Sequence, residues 1–279
     1  MMLINPMRIV LILAMLFTCF PALSSTKLMM VMQIEAVAGG YAIIQAKPGV
    51  TLYLRDQEIF TDSEGFAGIG FSRDAGGLYD LVAKASDGRQ ETETIWVASR
   101  QFNVQYVNGV ESSRVTPPAS VTERIQREAE QVWRARQGGH DLNHWREDTF
   151  IAPISGPVTG VYGSQRFYNG EPRSPHWGID YAAPQGTPVK TPAGGTVVLA
   201  EPDLYYSGGT VIVDHGGGLS SSFLHLSQLG VKVGDRLSQG DIIGAVGSTG
   251  RSTGPHLDWR MNLHGERVDA ALWLTDAAD

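Results

Sequence analysis

The 279-residue chain contains one cysteine, Cys19, and it sits in an apolar run near the amino terminus. A mature chain without that run has no thiol, which excludes disulfides, cysteine-ligated zinc and a cysteine nucleophile. Positive charge is also scarce. With 22 Lys+Arg against 29 Asp+Glu, the formal net charge is -7. Nothing basic is concentrated enough to neutralise a phosphate backbone, so a nucleic-acid partner is not expected. The apolar run Ile9 to Phe20, interrupted only by Thr18, falls short of the roughly 20 residues that cross a bilayer as a helix. It follows Arg8 and precedes Pro21 and the small-residue stretch Ala22-Leu23-Ser24-Ser25. That order is a positive region, a short apolar core and a cleavage site, so residues 1–24 read as a secretory signal peptide with no stable membrane span after cleavage.

What is abundant is glycine, 33 in all, pointing to many turns and short strands. Over residues 27–110 the runs Leu28 to Val37, Tyr41 to Ala46, Val50 to Leu54, Tyr79 to Lys84 and Thr92 to Val97 alternate with Gly39-Gly40, Pro48-Gly49, Glu64-Gly65 and Asp87-Gly88. Short strands with such turns predict a small β-sandwich. This region has no histidine, and no catalytic constellation is legible in it.

Pro117-Pro118 ends the region. Ser120 with Glu123 three residues later then predicts a capping box and a connector helix within 117–139, stopped by Gly138-Gly139. Val121, Ile125, Ala129 and Val132 recur at helical spacing, leaving Glu123, Arg124, Arg127, Glu128 and Arg134 for solvent. Residues 148–279 return to a β pattern. Strands are expected at Thr187 to Lys190, Thr196 to Ala200, Thr210 to Asp214, Ser221 to His225, Ile242 to Val246 and His256 to Met261. The fold class is therefore mainly β, two β regions joined by one helix.

The chemistry-bearing residues lie in the second half. A divalent metal needs two to four side chains converging on one point, and two histidine-acid segments offer them: His176-Trp177-Gly178-Ile179-Asp180 and His256-Leu257-Asp258, with His225 between. Pro175 and Gly178 argue against a helix, placing His176 and Asp180 on a loop or the start of a strand. His256 and Asp258 stand two apart in a strand-like segment, so both point to one face and Leu257 to the other. The same parity sets Arg260 beside Asp258, and the alternative reading of that aspartate is a surface Asp-Arg pair. His140, His144, His215 and His264 read as structural, His215 as a turn histidine.

Residues from about Tyr162 to Asn262 resemble the lysostaphin-type or LytM-type zinc peptidases, whose duplicated hybrid motif fold cleaves peptide bonds in peptidoglycan. The resemblance rests on Asn169-Gly170, on Pro175 to Pro184, on Gly186-Thr187-Pro188-Val189, on Phe223-Leu224-His225-Leu226-Ser227, on Gly234-Asp235 and on Gly247 to Leu257. It implies His176 and Asp180 as zinc ligands and His225 and His256 as catalytic residues. The position of the family's third ligand, a histidine, holds Asp258. Aspartate binds zinc at about 2.0–2.2 Å but is shorter than histidine. A His-Asp-Asp set also neutralises the dication, which weakens its Lewis acidity and favours a harder metal such as manganese.

The resemblance thus implies a secreted zinc endopeptidase, most simply periplasmic, that hydrolyses peptidoglycan cross-links with a metal-activated water. Arg166 and Tyr205 are expected to contact substrate or to brace loops. A second reading of the same residues is a catalytically weak relative that binds the cell wall or activates a partner wall hydrolase.

Overall fold

The computed structural model describes residues 27–108, 117–137 and 142–274. The signal segment, Cys19, Gly138-Gly139 and His140 lie outside them. Among the described residues the protein is mainly β. No helix there is long and apolar enough to cross a membrane.

The first strands are β1 (Met29–Glu35), β2 (Tyr41–Ala46), β3 (Val50–Leu54), β4 (Gln57–Ile59), β5 (Phe66–Gly70), β6 (Gly77–Ala85), β7 (Gln90–Val97) and β8 (Val104–Val107). They form a sheet of order β1-β2-β5 and a second of order β4-β3-β6-β7. Alternation explains both. Along β6 the residues Tyr79, Leu81 and Ala83 are buried while Leu78 and Asp80 are exposed, as a half-covered strand requires. Inward residues of the two sheets share one core that includes Ile44, Leu52, Phe71, Leu81 and Val97.

Helix α1 (Thr122–Ala135) follows, then the single turn α2 (His144–Glu147). The expected capping box does not form: a 3-10 turn over Ala119–Val121 leads into α1, whose cap position is Val121 with no side-chain cap hydrogen bond. That turn, closed by Val121 N–H donating to Pro118 O at 3.1 Å, organises the chain entry without Ser120. The docked face also differs from the apolar spacing. Arg124 and Glu128 are half-buried while Ala129 is exposed. The Arg124–Glu128 pair, 2.5 Å apart, is fully used: Arg124 also bonds Asp203, and Glu128 accepts the Tyr205 backbone N–H at 2.7 Å. Val132 and Ala135 pack on Leu199, Leu204 and Ile212.

The remaining strands are β9 (Val158–Gly160), β10 (Gln165–Tyr168), β11 (Glu171–Pro172), β12 (Ile179–Ala182), β13 (Pro188–Lys190), β14 (Gly195–Leu204), β15 (Gly208–Gly216), β16 (Leu219–Leu226), β17 (Gln228–Leu229), β18 (Arg236–Leu237), β19 (Ile242–Ala245), β20 (His256–Leu263) and β21 (Glu266–Val268). An eight-stranded sheet runs β18-β14-β15-β16-β20-β12-β9, with β21 on β20. Every residue of β15 and β16 is buried. A core containing Phe223, Leu257, Trp259 and Met261 covers one face of this sheet, and α1 covers part of the other.

Contacts link the early strands to the later ones. Strand β8 pairs in parallel with β10, Tyr41 and Ile43 join the core of the large sheet, and Arg100 bonds Asp269 at 2.8 Å.

Candidate metal centre

Neighbouring antiparallel strands bring the two acidic segments together. Strand β12 pairs with β20 so that Asp180 lies directly opposite Asp258 and Ala182 opposite His256. Side chains of such a pair are close neighbours, and two like charges there repel. The site therefore needs cations, and it has them. Arg166, on β10, donates from Nη2 to Asp180 Oδ2 at 2.9 Å. Arg260 donates from Nε and Nη2 to both oxygens of Asp258, at 2.5–3.1 Å.

His176 stands on the loop before β12, and its backbone is fixed in both directions. Its N–H donates to Ser164 O at 2.9 Å, and its carbonyl accepts from the Gly163 N–H at 2.8 Å. The residue is 1% exposed, with Nε2 3.1 Å from Asp180 Oδ1. Ligand atoms of His176, Asp180 and Asp258 all lie within 4.8 Å of one another. The close approach of Nε2 and Oδ1 is not a hydrogen bond, so both ring nitrogens of His176 and Oδ1 of Asp180 are buried without a hydrogen-bond partner. Buried polar atoms without partners are costly unless something satisfies them. A divalent cation fits that donor set, one imidazole and two carboxylates.

Two glycines make the approach feasible. A Cβ on Gly160 would collide with the carboxylate of Asp180, and one on Gly178 with Oδ1 of Asp258 and the stem of Arg260. The Asp258–Arg260 pair is real, but it is not on the surface: Asp258 is 2% exposed. Burial alone would raise the Asp258 carboxyl and lower Arg260; their pairing outweighs it, holding Asp258 well below the usual carboxylate range and Arg260 above its ordinary value. Arg260 thus gives one hydrogen bond to Oδ1 of Asp258 and two to Oδ2, which leaves a lone pair on Oδ1 for a metal.

His225 and His256 lie beside this triad, their ring centroids 4.8 Å apart. His225 adopts φ 65°, a left-handed conformation uncommon for a side-chain-bearing residue, where the β15–β16 register shifts between Gly209 and Val211. Its N–H donates to Ser207 O at 2.8 Å. The ring nitrogen Nδ1 lies 2.8 Å from Thr249 O, and Nδ1 of His256 lies 2.8 Å from Gly254 O. A carbonyl only accepts, so each Nδ1 donates to it and Nε2 is the ring nitrogen left for other partners. Burial, with the neighbouring His256, pushes His225 down to about 4 against the opposing pull of Asp258.

The other residues that the sequence singles out separate from the centre. His215 is in the core rather than a turn, with Nδ1 2.7 Å from Gly194 O and Nε2 2.8 Å from Ser221 Oγ. His144 pairs with Asp148, and His264 is exposed near Phe60. Tyr205 packs against Tyr206 and is pinned through its backbone by Glu128, whereas Arg166 reaches Asp180 directly. The carbonyls of Thr249 and Gly254, which orient the two histidines, carry no side-chain signal and could not be read from sequence.

Residues 174–270 match the profile of Peptidase family M23. Over 97 residues the chain is 43% identical to the peptidoglycan DD-endopeptidase ShyA of Vibrio cholerae, covering 35% of this chain and 22% of ShyA. The chain thus spans about a fifth of that relative's length. A structure titled as a putative peptidase M23 from Pseudomonas aeruginosa aligns over 86% of this chain and 95% of its own, with TM-score 0.64 and 28% identity. A catalytic-domain variant of the M23 protein EnpA from Enterococcus faecalis is 33% identical over 42% of this chain and 91% of its own, with TM-score 0.37. With the His-Asp-Asp cluster inside the matched segment, the chain belongs to Peptidase family M23.

Proposed function

We propose that this chain is a zinc-dependent endopeptidase that hydrolyses peptide cross-links of bacterial peptidoglycan. The observation that carries the reading is the convergence of His176, Asp180 and Asp258 on one buried spot, with the His176 ring and Oδ1 of Asp180 left without hydrogen-bond partners. The name of ShyA supplies the substrate class. Residues 1–24 are assigned as a signal peptide delivering the protein to the periplasm, 27–110 as a β-sandwich-like module, 117–139 as a connector and 148–279 as the peptidase domain.

When bound, the zinc would polarise a peptide carbonyl and acidify water, with manganese as a harder substitute for this oxygen-rich set. His176, Asp180 and Asp258 would hold it. Arg166 and Arg260 orient the two carboxylates from the outside, as partners of ligating groups commonly do. His225 is neutral at pH 7 by burial, so its Nε2 lone pair accepts a proton. His256, with Nδ1 held by Gly254, offers Nε2 for the second proton transfer or, once protonated, for the developing oxyanion.

A second reading is favoured by one observation: Arg260 already holds both Asp258 oxygens. If that pair excludes the metal, the chain is a wall-binding or hydrolase-activating relative. Digestion of purified peptidoglycan separates the two. The enzyme reading expects soluble muropeptides, abolished by chelator and by His225→Ala, and a lower metal stoichiometry in Asp258→Ala. No release with zinc or manganese would refute it, and unchanged metal binding in Asp258→Ala would remove that residue from the ligand set.

A further inference from the structure

Beyond the Asp258–Arg260 pair, the outer face of the large sheet carries more positive charge than it has partners. Pairing of β20 with β16 sets Ser222 opposite Arg260 and Ser220 opposite Asn262. Pairing with β21 sets Arg267 opposite Asn262, two residues beyond Arg260 on the same face. The end of α1 adds Arg136, whose Nη2 donates to Ser222 Oγ at 2.9 Å. Three guanidinium groups therefore meet on one patch. Among the described residues, the one carboxylate bonded to any of them is Asp258, already taken by Arg260.

The other two are incompletely satisfied. Arg136 Nε, Arg267 Nη1 and the nearby Ser220 Oγ are buried without hydrogen-bond partners. Burial first lowers both, then repulsion from Arg267 and Arg260 for Arg136 and from Arg260 for Arg267: Arg136 falls well below the ordinary arginine value, Arg267 to about 10. Desolvated cations without a counter-charge are unfavourable, and the planar fork of arginine matches a carboxylate. The chain as a whole is acidic, so this concentration is local.

We propose that Arg136, Arg260 and Arg267 form a carboxylate-binding subsite adjoining the metal centre, which takes a free carboxylate of the substrate peptide. The inference rests on the peptidase reading for its ligand class. Arg260 belongs to both groups, so the subsite places the bound peptide relative to Asp258 through one shared side chain.

Binding without turnover tests it. A synthetic peptidoglycan stem peptide with free carboxylates is titrated into the full protein by calorimetry, beside the same peptide fully amidated and beside acetate and phosphate. The free acid should bind about tenfold tighter than the amide, the scale of one charge-assisted hydrogen bond. Arg136→Gln and Arg267→Gln should each remove most of that preference and leave the amide's affinity unchanged. Equal affinity of acid and amide overturns the proposal, as does a preference that survives in both variants. Acetate or phosphate binding as tightly as the free-acid peptide shows a general anion site and overturns the peptide assignment. If Arg267→Gln does not fold, Arg136→Gln and the acid-amide comparison on the unaltered protein still decide. Acid preference without muropeptide release sinks the peptidase reading alone; release without acid preference sinks the subsite alone.

Discussion

Replacing Arg260 by methionine should destabilise the protein far more without metal than with it. Asp258 is 2% exposed, and both of its oxygens take their hydrogen bonds from Arg260. Removing one member of a buried ion pair leaves the other uncompensated, at a cost of about 3–5 kcal/mol. Asp180 faces Asp258 across the strand pair, so the loss also exposes two carboxylates to each other. A dication held by His176, Asp180 and Asp258 would neutralise the charge that Arg260 no longer compensates, and most of the loss should vanish. Urea unfolding of wild type and Arg260→Met, each in chelator and in saturating zinc, measures the four states of this cycle. The expected result is a loss of about 3–5 kcal/mol in chelator and about 1 kcal/mol or less in zinc. An equal loss in both conditions would refute the reasoning, because it would mean that the metal does not reach Asp258.

Further predictions concern groups inside and outside the centre. Gly178→Ala should lower zinc affinity by about 10–100-fold, since a Cβ there meets Oδ1 of Asp258 and the stem of Arg260; competition with a chelating dye would show it, and unchanged affinity would mean the strand shifts freely. Burial raises Asp214 from 3.8 to about 6, so the folded state retains a proton that the unfolded chain loses, and stability falls as pH rises through that window. Asp214→Asn should therefore gain up to about 3 kcal/mol at pH 7 and nothing below pH 4, read from urea midpoints at both values. Burial lowers His215 from 6.5 to about 4, with the opposite sign: the contribution is full above pH 6.5 and is lost, by about 3 kcal/mol, as pH falls toward 4. His215→Gln should be less stable at pH 7 yet lose less on acidification, and a parallel pH profile for both proteins would refute the assignment.

Much of the centre was legible because its signals are local. Pro175 and Gly178 kept His176 and Asp180 off a helix, and the two-residue period of a strand put His256, Asp258 and Arg260 on one side with Leu257 in the core. Strands β2 and β3 likewise fall on the expected runs, since alternation and turn residues act over a few positions. The short strands β4, β8 and β17 carry too few residues to show a period. Helix α1 was legible too, but its docked face was not, because Arg124 and Glu128 bury as a pair whose partners lie on β14 and the turn after it.

The sequence by itself determined the residue types at the site, their parity along each strand and the mainly β class, all properties of neighbours in the chain. Only the tertiary structure decided that Asp180 faces Asp258 across a strand pair, that Arg260 meets Asp258 in the interior, and that Arg136 and Arg267 gather behind them. Strand order and register set those contacts, and they join residues too far apart in sequence for any local pattern to record.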